Sequence, residues 1–148
     1  MHRPYCPMTW NGNLVRLEFR SAFDMLDFVQ VVSDHVGRLA GLDEDSVHWV
    51  SVAVRESVIN AIKHGNRNDH SKLVFVEFAT DKGDLSVRIR DQGEGFDPTT
   101  LADPLAPENV LKSSGRGIFL MRQFMDEVSL ARAPEGGMEV RMVKRRKN

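Results

Sequence analysis

Glu56, Asn60 and His64 stand four residues apart in the segment Arg55-Glu56-Ser57-Val58-Ile59-Asn60-Ala61-Ile62-Lys63-His64-Gly65-Asn66. On an α-helix, residues at i, i+4 and i+8 lie along one face. The row therefore aligns a carboxylate, a carboxamide and an imidazole among the apolar positions Val54, Val58, Ile59, Ala61 and Ile62. Burying such a row is costly and serves no packing purpose. It makes sense as the lining of a site. Two glycine-rich clusters downstream, Asp91-Gln92-Gly93-Glu94-Gly95 and Gly115-Arg116-Gly117, suggest that the site holds a phosphorylated ligand.

The helix that carries the row has clear neighbours. Residues 1–13 read as an irregular arm, and Leu14–Phe19 as a strand with partial alternation. Ser21 is placed to cap the next helix. In that helix Phe23, Leu26, Val29, Val32 and Val36 recur at three- and four-residue spacing, and it stops near Gly41. The acidic group Asp43-Glu44-Asp45 opens the second helix, favourably placed against the macrodipole. Gly65 is the expected C-terminal residue of that helix.

Leu73–Ala79 and Leu85–Arg90, joined by Asp81-Lys82-Gly83-Asp84, give a hairpin signal. Asp91 stands where the second strand ends. Residues 92–114 contain Gly93, Gly95, Pro98, Pro104 and Pro107 and show little periodicity, the mark of a functional or disordered loop. A third helix follows, with Ile118, Met121, Phe124 and Met125 on its apolar side. Val128–Ala131 and Met138–Val143 form a last strand pair around Pro134-Glu135-Gly136-Gly137. The order β-α-α-β-β-loop-α-β-β predicts an α/β two-layer sandwich. Its mainly antiparallel, mixed sheet is covered on one face by three helices.

A chain of 148 residues is expected to form one domain, here 14–143 between the arm and a basic tail at 144–148. The formal net charge of -1 gives no global reason to seek nucleic acid, and Lys144-Arg145-Arg146-Lys147 reads as a solvated tail. The single cysteine, Cys6, cannot form an internal disulfide. No apolar run approaches the roughly 18 residues of a transmembrane helix. These features predict a cytoplasmic protein that neither enters a membrane nor contacts nucleic acid directly. His35, His48, His64 and His70 show no zinc-ligand spacing.

Gly93-Glu94-Gly95 does not continue into a dinucleotide-binding turn, because Pro98 occupies the place of the third small residue. No Gly-x-x-x-x-Gly-Lys-Ser/Thr loop exists either. By contrast, Ser113-Ser114-Gly115-Arg116-Gly117-Ile118 runs into a helix, where free N–H groups form an anion site and Arg116 adds a charge.

Three blocks thus occur in order: Glu56–Asn60 on a helix, Asp91-x-Gly93-x-Gly95 after a strand, and Gly115-x-Gly117 before a helix. In this order they resemble the Bergerat-fold (GHKL) ATPases, the group that includes gyrase and the histidine kinases. Within it, the segment from Glu56 to Gly65 is most similar to the anti-sigma factor serine-protein kinases of bacterial partner switching. The resemblance covers residues 14–143.

It implies ATP and Mg²⁺ as cofactors, with Asn60 as the magnesium ligand and Glu56 as the catalytic general base. It implies that Asp91 accepts a hydrogen bond from the adenine amino group while Gly93 and Gly95 let the backbone pass the base. Residues 94–114 would be a lid. Lys63, His64, Phe96, Ser114, Gly115, Arg116, Gly117 and Ile118 complete the implied nucleotide-binding set. Many relatives carry Gly-Thr where this chain has Gly137-Met138, so the threonine's hydrogen bond is lost here.

The resemblance implies a protein serine kinase that binds a sigma factor and phosphorylates a small anti-sigma-antagonist protein. A homodimer is possible, with Phe23, Phe28 or Trp49 available, although core packing is the simpler use of these rings. Two alternatives are an ATP-gated or nucleotide-independent binding module without kinase turnover, and a detached histidine-kinase catalytic domain.

Overall fold

The computed structural model describes residues 13–94 and 121–147. The first alternating stretch forms strand β1, Leu14–Arg20. Ser21 then departs from its expected role as a cap. It is fully buried, and its hydroxyl donates to the Lys72 carbonyl (2.8 Å) and accepts from Asn66 (2.7 Å). A 3-10 turn, Phe23–Met25, leads instead into helix α1, Leu26–Leu39, and neither has a side-chain cap. Gly41, at φ +85°, supplies the left-handed residue that stops α1.

Helix α2, Glu44–Asn60, starts where the acidic group predicts. Asp43 is its N-cap, accepting the Ser46 N–H at 2.8 Å. The hydrogen bonds from Ser46 hold the Asp43 carboxyl below the usual carboxylate range. The helix does not simply end at Gly65. Its last turn widens into a π-helical turn, Ala61–Gly65, closed by the Asn66 N–H on the Ala61 carbonyl at 2.7 Å. Such single π turns are frequent at functional sites.

Strands β2 (Leu73–Asp81) and β3 (Asp84–Arg90) form the predicted hairpin. Lys82 and Gly83 both have positive φ, as a two-residue turn matched to strand twist requires. Residues 121–124 are helical, and the final pair is β4 (Glu127–Arg132) and β5 (Met138–Arg145). The sheet order is β1-β2-β3-β5-β4, with antiparallel pairing at each of these junctions.

One face of the sheet buries Val74, Val76, Phe78, Leu85, Val87, Ile89 and Met142. Against it lie Val29 and Val36 of α1, Val47, Val50, Val54 and Val58 of α2, and Ile62 of the π turn. Met121 and Met125 join the same cluster. Burying a side chain of this kind stabilises by about 1.5–3 kcal/mol, so the two-layer core is the main reason this arrangement holds. Trp49 stacks on Phe124, with ring centroids 3.6 Å apart and planes 3° apart, and so is used within the chain. Phe23 and Phe28 stay exposed.

The opposite sheet face is wet and carries its own counter-charges: Arg16 with Glu77 (2.8 Å), and Arg88 (3.2 Å) and Arg90 (3.6 Å) with Glu135. The basic run also differs from a free tail. Lys144 and Arg145 belong to β5, and Lys144 donates to the Phe124 carbonyl at 2.7 Å. Arg145 pairs with Glu127, and Lys147 lies 3.7 Å from Asp43. Cations engaged in this way do not make a free basic patch. Among the described residues, no helix is long and apolar enough to cross a membrane.

Candidate functional site

Glu56 and Asn60 lie one turn apart on α2, both half-buried. Their neighbour Arg55 turns to Asp27 of α1, 3.6 Å away. Among the described residues, neither Glu56 nor Asn60 makes a side-chain hydrogen bond or ion pair, so both polar groups are available. The π turn then adds an extra residue to the following turn, which displaces His64 from the ideal i+8 position. Lys63 and His64 are exposed on that turn, without hydrogen-bond or ion-pair partners among the described residues.

The turn ends against Asp91. A buried carboxylate needs hydrogen-bond partners, and Asp91 is only 5% exposed. Its Oδ1 accepts the backbone N–H groups of Gly93 (2.9 Å) and Met138 (3.1 Å). Its own N–H donates to the Met138 carbonyl at 3.1 Å. Backbone groups thus fix Oδ1, and these two bonds do not depend on the side chain at position 138. Oδ2 takes no hydrogen bond among the described residues.

Three glycines enclose this carboxylate. A Cβ on Gly65 would sit 1.9 Å from Asp91 Oδ2, and one on Gly93 would sit 2.0 Å from the Gly65 carbonyl oxygen. A Cβ on Gly137 would come within 2.1 Å of the Asp91 carbonyl oxygen, and Gly137 also has φ +81°. Gly65 itself has no positive φ. Its helix-ending role in the sequence reading is therefore replaced by a packing role: it lets the π turn touch Asp91.

Behind the turn, Asn66 is fully buried. Its Nδ2 donates to Ser21 Oγ (2.7 Å) and the Leu73 carbonyl (2.9 Å), and its Oδ1 accepts the Gln92 N–H (2.8 Å). Left-handed Arg67 and Asn68 follow, with the Asn68 N–H on the Ile62 carbonyl at 2.8 Å.

The structure thus gathers Asp91 and Gly93 at the turn that follows Glu56 and Asn60. It adds Gly65 and Asn66, which sequence reasoning did not select for the site, and Gly137, noted there only for the Gly-Thr position it shares with Met138. No periodic signal marks them, since a glycine that permits contact and a glycine that ends a helix look alike in sequence. Gly95, Phe96, Ser114, Gly115, Arg116, Gly117 and Ile118 lie outside the described residues.

Residues 24–144 match the model of the histidine kinase-like ATPase domain. The chain is 26% identical over 139 residues to serine-protein kinase RsbW of Staphylococcus aureus, a match covering 89% of this chain and 86% of that protein. The RsbW of S. aureus strain Newman matches to the same extent. Among solved structures, the RsbU and RsbW domains of a Mycobacterium tuberculosis protein align with a TM-score of 0.65 at 16% identity. That alignment covers 90% of this chain and 32% of the longer chain, so this chain spans about a third of that structure's length. It supports the fold alone.

Proposed function

The chain belongs to the histidine kinase-like ATPase domain family, and from that premise we propose that it is an ATP-dependent serine-protein kinase. In this reading it acts as an anti-sigma regulator, binding a sigma factor and phosphorylating a serine on a small antagonist protein. The Asp91 cradle carries the proposal. One carboxylate oxygen is held by two backbone N–H groups, and the other takes no hydrogen bond among the described residues. Gly65, Gly93 and Gly137 leave no room for side chains beside it. A fixed acceptor in a site with backbone walls suits the exocyclic amine of adenine.

Asn60 would hold Mg²⁺ through its carboxamide oxygen, a suitable hard ligand that is free of other partners among the described residues. When bound, the ion supplies charge neutralisation for the phosphates. Phosphate and water are the kinds of ligand Mg²⁺ would take in its remaining positions. Glu56, one turn earlier, accepts the proton of the attacking serine hydroxyl. The serine oxygen forms its bond to the γ-phosphorus as the bond to the β-phosphate bridging oxygen breaks, and ADP leaves. Most of the rate enhancement comes from positioning and charge stabilisation.

The kinase reading is tested by incubating the protein with Mg-ATP and a candidate small antagonist protein. Acid-stable phosphoserine on the antagonist is the expected product. Its absence, with partner binding indifferent to nucleotide, would leave a binding module instead.

The adenine contact has its own test. Asp91→Asn keeps an oxygen for the Gly93 and Met138 N–H groups but turns an NH₂ toward the base. ADP affinity should fall about 10–100-fold, as expected when a buried donor meets a donor. IDP, which presents a 6-oxo acceptor, should lose much less, and calorimetry with the two nucleotides compares them directly. Equal losses for both would refute the contact.

A further inference from the structure

We propose that Asn66 is a positioning residue of the nucleotide site. Its buried carboxamide sets the spacing between the π turn that carries Gly65 and the strand exit that carries Asp91. The inference rests on the nucleotide reading of Asp91 given above and adds a residue to it.

The Asn66 side chain has a partner for each of its polar atoms. Both Nδ2 hydrogens of Asn66 are used, by Ser21 Oγ and the Leu73 carbonyl, and Oδ1 takes the Gln92 N–H at 2.8 Å. The backbone is engaged as well: the Asn66 N–H closes the π turn on Ala61, and the Asn66 carbonyl accepts the Asp69 N–H at 3.0 Å. One side chain therefore joins the end of the π turn to the end of β1, the start of β2 and the residue after Asp91. Gln92 reinforces the join through its side chain, whose Oε1 accepts the Leu73 N–H at 2.7 Å.

This join sits where the site has no slack. Gly65 precedes Asn66, and Asp91 precedes Gln92. The Asn66–Gln92 bond therefore closes the very approach at which a Cβ on Gly65 would lie 1.9 Å from Asp91 Oδ2. If that bond is lost, the π turn and the strand exit can separate, and the carboxylate drifts from the base. A residue that merely stabilised the fold would change melting temperature without changing the preference for adenine.

Two variants separate these roles. Ser21→Ala removes only the hydroxyl end of the network and keeps the Asn66–Gln92 bond. Asn66→Ala removes that bond. Both should melt at lower temperature. Asn66→Ala should also weaken ADP binding by about tenfold or more and narrow the preference for ADP over IDP, whereas Ser21→Ala should stay within about threefold of wild type. Asn66→Ser, whose short hydroxyl does not reach the Gln92 N–H, serves should alanine unfold the domain. Its ADP affinity should fall by about tenfold as well, with a narrower preference for ADP over IDP.

Parallel losses in Asn66→Ala and Ser21→Ala would overturn the proposal, as would an unchanged ADP/IDP preference in Asn66→Ala. Wild-type ADP affinity in a folded Asn66→Ser would do the same. Asp91→Ala is the reference. If it fails to weaken ADP, the nucleotide reading itself falls. If it weakens ADP and Asn66→Ala does not, only the positioning role falls.

Discussion

Gly65→Ala is expected to abolish measurable nucleotide binding in a chain that still folds. The added Cβ would lie 1.9 Å from Asp91 Oδ2, 2.4 Å from its Cγ and 2.9 Å from its Cβ. None of these is a tolerable contact, so the carboxylate must leave. Its departure strands the N–H groups of Gly93 and Met138, at about 1–3 kcal/mol for each buried donor left without an acceptor. The backbone at position 65 raises no objection to alanine, because its φ is not positive, and alanine is favoured over glycine in a helical turn by about 1 kcal/mol. Fold and site therefore respond differently. Circular dichroism should show native helix content, while the ADP dissociation constant should rise by at least about 100-fold. Combining Gly65→Ala with Asp91→Ala removes the two shortest contacts and leaves only the 2.9 Å approach to the Cβ of residue 91, so the double variant should be more stable than the sum of its parts and still fail to bind. Near-native ADP affinity in Gly65→Ala would show that Asp91 does not face the nucleotide.

The contrast between fold and site explains what could be read from the sequence. The helices announce themselves through repeated apolar positions, and Val47, Val50, Val54 and Val58 all prove buried. The hairpins announce themselves through Lys82-Gly83 and Gly136-Gly137, whose left-handed residues make tight turns. Strand pairing between β3 and β5 is different. It joins segments about fifty residues apart, and no local pattern selects β5 over β4 as the neighbour of β3.

At the site, Glu56, Asn60 and Asp91 stand out because a polar residue in an apolar helix, or at a strand end, breaks a pattern. Gly65 and Asn66 break none. A small residue and an amide after a helix look like an ordinary loop, and only three-dimensional contact shows that one admits Asp91 and the other ties Gln92. The π turn is invisible for the same reason, since a shift from i+4 to i+5 bonding changes geometry and not composition. Ser21 shows the reverse error. A serine before a helix is a sound capping signal, but a buried amide and a carbonyl claimed its hydroxyl first.

Glu56→Gln separates chemistry from binding. Glutamine has the same size and fits the same half-buried place on α2, and Glu56 has no ion pair among the described residues whose loss would disturb the helix. The Asp91 cradle is built from the π turn, the β3 exit and β5, none of which contacts depend on the charge of residue 56. ADP affinity should therefore remain near wild type, within about threefold. Phosphoryl transfer to the antagonist serine should fall by about 10²–10⁴-fold, the usual worth of a positioned general base. Single-turnover transfer from labelled ATP measures the loss without interference from product release. A variant that transfers at the wild-type rate would move the proton-accepting role away from Glu56, leaving positioning of the serine and phosphate as the whole of the catalysis. A variant that loses ADP binding in parallel would instead make Glu56 part of the nucleotide site, because a base acting only in the transition state leaves ground-state affinity unchanged.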